Sequence, residues 1–346
     1  MTRFFLGSLN RPGPYFHATG EGLTTCVLDE ATGTITRLHA QPDAENAIWL
    51  ARAGELLLVA TERYLEPGEI SAFALSETGP PIRIGTAQSS HGGAICHAAF
   101  TPDRLAVVVA SYLGGITVHE ISAAGAVAAA HQIIDYQGSG PHPERQDQPH
   151  PHQAVVAPDG GSVWVCDLGT DRIHVHPLDG HTLGPAADLV TPPGSGSRHL
   201  AFHPVLPRCY VFGELDAMVH LYDVSGSFPV IISSHATLPA EFTGEPAGAA
   251  IRIHPSCHTL IVSNRNSDTL AFFRIDATGG LALAACVPTG GRTPRDFAVS
   301  PSGRWLLAVN QDSHGVVPIE LEPETGLPNG RRGPDFPCGS PVCAIF

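Results

Sequence analysis

An all-β fold assembled from one repeated meander is what this sequence predicts, and three observations carry it. The first is a unit at residues 293–319, TPRDFAVSPSGRWLLAVNQDSHGVVPI. Arg295 and Asp296 open a short alternating strand. Pro301, Ser302 and Gly303 make a turn, and an apolar strand at 304–309 ends in Asn310 and Gln311. A last strand follows at 315–319. Strand, turn, strand and strand with Pro and Gly at the corners is an antiparallel meander. The second observation is recurrence: the turn prolines Pro102, Pro158, Pro204, Pro255 and Pro301 stand 46 to 56 residues apart. The third is the spread of 37 Gly and 31 Pro over the whole chain, which fits many tight turns and not one linker. Repeats of this size with about four strands each describe a β-propeller.

Taken in order, the repeats number seven, and the expectation is a single seven-bladed propeller over residues 1–346. Blade one has strands at 4–8, 23–28 and 34–38, around a turn at 30–33, and lacks a first strand. Blade two runs from Ala47 through 56–60 to 70–75 and has no turn proline. Blade three runs from Cys96 through 105–110 to 116–121, and blade four from His152 through 162–166 to 173–177. Blade five runs from Arg198 through 208–212 to 219–224, and blade six from Ala249 through 259–263 to 270–275. The unit above is blade seven. The tail, 338–346, reads as an isolated first strand, and it is predicted to join blade one and close the ring. A blade buries its faces only against its neighbours, so an open ring would leave exposed edges. A closed ring has no need of a partner copy, so a monomer is expected. Residues 136–151, rich in Pro, Gly and His, form a long loop ahead of blade four, either functional or a mobile surface segment.

Composition removes several function classes. The net charge is −14, and all 19 cationic side chains are Arg, so no lysine can form a Schiff base. The acidic balance and the lack of basic runs argue against nucleic acid or anionic membrane as partner. No apolar run reaches the roughly 18 residues of a membrane span. MTRFFLGSLN holds no secretory core, so a cytoplasmic location is expected. None of the eight cysteines belongs to a C-x-x-C, and Cys96, Cys166, Cys209 and Cys286 lie in or beside apolar runs, so buried thiols are expected. No G-x-S-x-G, G-x-G-x-x-G or P-loop occurs, which argues against a serine elbow and a nucleotide cofactor. The histidines of HPERQDQPHPH match no metal spacing, so neither metal nor cofactor is expected.

Counting from the turn prolines places the chemistry. Six residues before them stand Cys96, His152, Arg198, Ala249 and Arg295. Nine after stand Ser111, Asp167, Gly213, Asn264 and Asn310; ten after stand Tyr112, Leu168, Glu214, Arg265 and Gln311. In a meander these positions meet at one face. Cys96, His97, His152, Arg198, His199, Glu214, Arg265, Arg295, Asp296, Asn310 and Gln311 should therefore share one mouth of the channel. The competing reading is structural, with polar residues tying blades together; Asp167 and Asp171 suit that task. Several guanidinium groups suit a carboxylate or phosphate and a developing oxyanion. A histidine beside a carboxylate suits proton transfer. Together they fit water attack on an ester or lactone, or the reverse closure.

The segments 150–178, 197–222, 250–276 and 293–319 resemble, in order, those of the seven-bladed lactonases. These comprise the propeller-type 6-phosphogluconolactonases and the fungal carboxymuconate cyclases. The resemblance is close over 90–346 and loose over 1–90. It implies a cofactor-independent site in which His, Glu and Arg handle a lactone acid. The matching positions are His152, Arg198 with His199, Glu214, Arg265 and Arg295. The family's Asn-Tyr after the third-blade strand is Ser111-Tyr112 here, and the usual glycine-rich turns of blades five and six are Val-Leu-Pro and Ser-Cys-His. The expected function is thus a lactonase for a sugar-acid or related carboxylated lactone, phosphorylated or not. His152 or Glu214 activates water, with Arg198 and Arg265 also catalytic. Arg295, His199, His97, Asn310, Gln311 and Tyr112 are expected to bind substrate. The alternatives are a cycloisomerase that closes a lactone on a muconate-type diacid, and a non-catalytic propeller that binds a protein through its loops.

Overall fold

Short β-branched and apolar runs, cut by Gly, Pro and Asp turns, become strands throughout the computed structural model. It describes residues 1–14, 16 and 18–346. No helix occurs among the described residues. Blade one comprises Pro341–Ile345, Thr2–Ser8, Leu23–Leu28 and Ile35–Gln41. Blade two comprises Ala47–Ala53, Leu56–Thr61, Pro67–Ala74 and the start of Ile82–Phe100. The end of that same long strand opens blade three, followed by Ala106–Leu113, Ile116–Ile121 and Val127–Ile134. Blade four is Pro151–Val156, Ser162–Asp167 and Arg172–Asp179, with an outer edge split into Thr182–Leu183 and Ala187–Val190. Blade five is Ser197–Phe202, Arg208–Gly213, Met218–Asp223 and Val230–Ala236. Blade six is Gly248–Ile253, Thr259–Asn264, Thr269–Ile275 and Leu281–Pro288. Blade seven is Pro294–Val299, Trp305–Asn310 and Gly315–Leu321, edged by Pro328–Arg332 and Phe336–Pro337.

The first strand of each blade faces the axis and touches the first strands on either side. Pro341–Ile345 pairs antiparallel with Thr2–Ser8 and lies between the first strands of blades seven and two. The core is divided accordingly. Each apolar cluster is shared by neighbouring blades: Phe4, Leu6, Trp305 and Leu307 between seven and one, Phe5, Leu50, Leu57 and Phe73 between one and two, and so on round the ring. Polar ties cross the same seams. The Trp305 Nε1 donates to the Glu30 carbonyl at 3.0 Å, and the Tyr210 hydroxyl to the Gly279 carbonyl at 2.9 Å. Asp171 accepts from the backbone N–H groups of Gly194 (2.6 Å) and Gly196 (2.8 Å), joining blade four to blade five. Asp167 instead ties blade four to its own preceding loop, taking the His150 N–H at 2.7 Å.

One irregularity recurs in every blade. The pairing of the first strand with the second slips by one residue near the top, a β-bulge that leaves one residue without a partner. The extra residues are Val342, Ile48, Cys96, His152, Arg198, Ala249 and Arg295. From blade three onward they are the positions six before the turn prolines.

All eight cysteines are free. Cys96, Cys166 and Cys209 are buried as expected, whereas Cys286 is half-buried because it sits on an outer strand. Among the described residues no helix is long and apolar enough to cross a membrane. Blades one and two meet closely at Gly7, where a Cβ would overlap the Ala47 carbonyl oxygen and the Cys343 sulfur. Backbone cannot yield there as a flexible side chain would. Gly7→Ala is expected to lower stability by about 1–3 kcal/mol, read from the shift of the urea unfolding midpoint. An unchanged midpoint would show that the seam between these blades is loose.

Candidate active site

The bulges and one repeated hydrogen bond set the site. At the top of the second strand in blades two, four, five, six and seven, the residue just past its end donates its backbone N–H to the carbonyl preceding the first strand. Glu62 bonds Asn46 (3.0 Å), Leu168 bonds His150 (3.0 Å), Glu214 bonds Gly196 (2.9 Å), Arg265 bonds Ala247 (2.8 Å) and Gln311 bonds Thr293 (3.0 Å). These side chains are thus fixed at one level around the axis, beside the bulged residues. From these two sets Glu62, Cys96, His152, Glu214, Arg265, Arg295 and Gln311 line a cavity of about 680 Å³, joined there by Tyr112 and Arg145. A second cleft, about 580 Å³, lies among Trp164, Phe202 and Phe228 of blades four and five and gathers no comparable set of arginines and histidines.

Glu214 is the hub. Its Oε2 takes the Arg198 Nε at 2.9 Å and an Arg265 Nη at 2.8 Å, and its Oε1 takes Arg145. Burial pushes this carboxyl up, and the charges of Arg265, Arg198 and Arg145 overcome it, leaving it well below the usual carboxylate range. Arg198 is almost fully buried and also donates to the Ala249 carbonyl at 2.7 Å. Burial and the neighbouring Arg265 push it down to about 9, so it is still cationic at neutral pH. It lines only a narrow recess beneath the main cavity, together with His152, His199, Arg295 and Asp296. Arg198, Arg265 and Arg295 therefore do converge, at two depths.

His152 lines both the cavity and the recess. Burial, then Arg198, hold its imidazole well below the usual range, so it is neutral at physiological pH, and its Nδ1 has no partner. Arg295 lines the same two spaces and makes no hydrogen bond or ion pair with a described residue. Gln311 and Tyr112 are at the cavity wall, Tyr112 stacked on His150 at 4.0 Å.

Four expected neighbours are elsewhere. His97 and His199 lie deeper, in an aromatic cluster with Trp49: its ring is 4.2 Å from His97 and 5.8 Å from His199. Burial and then Arg252 lower His97 to about 3. Asn310 is fully buried behind the wall, its amide atoms unpartnered, and does not line the cavity. Asp296, too, belongs to the deeper level, bonded to Arg252 at 2.6 Å. The cause is the bulge: it turns Cys96 and Arg295 to the mouth and the next residues, His97 and Asp296, down the channel.

Two wall residues escaped the sequence reading. Arg145 comes from the long loop, which is anchored rather than free. Its buried Gln146 donates to the Leu168 carbonyl and the Asp171 Oδ1, both at 2.8 Å. The loop's length was the signal, but the side chain it delivers had no periodicity to reveal it. Glu62 is the blade-two equivalent of Glu214, hidden because blade two turns on Gly54 instead of proline.

Among the described residues, no group of His, Cys, Asp or Glu could hold a metal ion. What the wall does offer is a neutral imidazole, two arginines open to an anion, and carboxyl groups in opposite environments. That set suits proton transfer beside a developing oxyanion.

Comparison with known proteins agrees with this architecture. The family described as "Lactonase, 7-bladed beta-propeller" matches residues 5–346. A Bacillus subtilis protein named 6-phosphogluconolactonase is 28% identical over 344 residues, 96% of this chain and 97% of its own. The solved structure of the Pseudomonas aeruginosa periplasmic gluconolactonase superposes with a TM-score of 0.91 at 26% identity, covering 99% of this chain and 98% of that one. A Lactobacillus plantarum structure gives 0.89 at 27% identity, over 100% and 99%.

The hub predicts a pH dependence. A carboxyl lowered by folding stabilises the fold above its unfolded pKa of about 4.3, and that contribution is lost as pH falls towards its folded value. Glu214→Gln leaves three guanidinium groups without their counter-ion. It should cost about 3–5 kcal/mol at pH 7. The gap from wild type should narrow below about pH 4, as read from urea unfolding across pH. A gap independent of pH would remove Glu214 from the role of charged hub.

Proposed function

The chain belongs to the family of seven-bladed β-propeller lactonases, and from that premise we propose that it opens the lactone of a sugar acid or a related carboxylated acid. The observation that carries the proposal is the crowding of guanidinium groups around one buried, ion-paired carboxylate at the cavity and its recess. Arg145, Arg198 and Arg265 share the single carboxylate of Glu214, and Arg295 has none. Buried positive charge without compensation is costly, and an anionic substrate supplies the compensation. This supports a substrate bearing a carboxylate or phosphate.

In this reading His152 is the base. Glu214 is held by three cations and is too weak a proton acceptor for the task. Water attacks the carbonyl carbon, its proton passes to His152, and the oxyanion forms beside Arg265 and Arg295. The carbon–oxygen bond of the ring then breaks, and the ring oxygen leaves as a hydroxyl. Arg198 acts through Glu214, fixing where Arg265 points. Tyr112 and Gln311 shape the mouth; His97, His199 and Asn310 support the wall from behind. The reading also takes the C-terminal strand as the closure of the ring, on the strength of its pairing with Thr2–Ser8.

The test is a panel of δ-gluconolactone, 6-phosphogluconolactone and a muconate-type diacid, followed by proton release or uptake. Opening of at least one lactone is expected, and Arg265→Ala should lower kcat by about 10²–10³-fold, the cost of removing an oxyanion donor. Turnover of the diacid alone would replace hydrolysis by cyclisation, and no turnover at all would leave a binding propeller.

A further inference from the structure

The cavity holds a second buried carboxyl whose surroundings are the reverse of Glu214. Glu62 is 9% exposed, and its carboxyl oxygens make no hydrogen bond or ion pair with any described residue. It lines the same cavity as His152, Arg265 and Arg295. It also sits at the same level as Glu214, one residue beyond the second strand of its blade and held by the same backbone bond. A carboxyl kept for structure is paired, as Glu214 is. A buried carboxyl left unpaired pays for desolvation whenever it is charged, so an arrangement that leaves it so favours the protonated acid. The other carboxylates at the wall, Glu144 and Asp147, are exposed at the rim.

We propose that Glu62 is a catalytic residue of lactone opening, the acid that protonates the ring oxygen as it departs. The proposal rests on the lactonase reading. As the water oxygen bonds to the carbonyl carbon, His152 takes its proton. As the ring carbon–oxygen bond breaks, the electron pair goes to the ring oxygen, which takes the Glu62 proton. The enzyme is left with an imidazolium and a carboxylate, and transfer of one proton between them through water restores the start. Two groups driven apart in acidity share the work. Burial holds the Glu62 carboxyl above the usual range, with Arg295 pulling it back part of the way. The groups coupled to its charge are Arg295 and the Cys96 thiol, and Tyr64, two residues on, lines the same cavity. Burial pushes that thiol up to about 12, so it stays neutral. Arg295 is placed to hold the carboxylate that forms when the proton leaves.

The experiment compares two leaving groups in wild type and Glu62→Gln. An alkyl lactone, δ-gluconolactone, needs a proton on its departing oxygen; an aryl lactone, dihydrocoumarin, expels a phenoxide that does not. Glu62→Gln should lower kcat on the alkyl lactone about a hundredfold with KM within a few-fold, the size of a general-acid contribution. It should lower the aryl rate far less. The ratio of the two rates is independent of how much variant is folded. The alkaline fall of the wild-type kcat/KM on the alkyl lactone, where the acid has lost its proton, should be absent from the variant. A variant that keeps its alkyl rate, or loses both rates equally, overturns the assignment. For a wild type that opens only the alkyl lactone, the kcat loss and the alkaline limb decide it. Where the wild type opens only 6-phosphogluconolactone, that lactone takes the place of the alkyl probe; a wild type that opens no lactone overturns the lactonase reading itself, a different failure.

Discussion

A single extra residue near the top of each innermost strand governs this molecule. Strands alternate their side chains with a strict period of two, so a regular inner strand would send every second residue to the channel. The bulge breaks that rhythm at one height in all seven blades. It presents His152, Arg198 and Arg295 to one level around the axis. Residues separated by more than forty positions in sequence thereby become neighbours without any of them belonging to a flexible loop. The seven apolar clusters between blades make this arrangement stiff, because no blade can tilt without opening two seams.

Charge is then distributed by pairing. Glu214 concentrates three guanidinium groups, one from the loop before blade four, one from the first strand of blade five and one from just past the second strand of blade six. A chain whose cations are all arginine suits this, since the planar guanidinium forks toward a carboxylate where an ammonium would act as a point. Glu62, at the matching height of blade two, has only the field of Arg295 to set against burial. Two glutamates in equivalent places thus differ in acidity through the company they keep.

Much of this was legible in the sequence. Blades three to seven declared themselves by turn prolines, and counting from those prolines found His152, Arg198, Glu214, Arg265 and Arg295. The counting could not reveal the bulge, which is a property of pairing. His97 and Asp296 were therefore assigned to the mouth with their preceding neighbours, although the chain turns them down the channel. Blade two has a glycine turn, so Glu62 had no landmark. Arg145 lay in a segment without periodicity, and its partner is 69 residues away. The outermost strands were missed for another reason: in Val230–Ala236 most residues, and in Leu281–Pro288 half of them, are exposed, so no apolar alternation marks them.

The strand Ile82–Phe100 has a mechanical meaning. It is the last strand of one blade and the first of the next, crossing from rim to axis with left-handed residues at His91 and Ala94 where it bends. Elsewhere neighbouring blades are linked by a loop that can lengthen; here they share one hydrogen-bonded ribbon. The ring therefore has one articulation fewer than it has blades. Blades two and three form a double-width sector that must breathe as a unit. Glu62 and Cys96 both stand on that sector, one on each of its two blades, tied by an unbroken strand rather than by a loop.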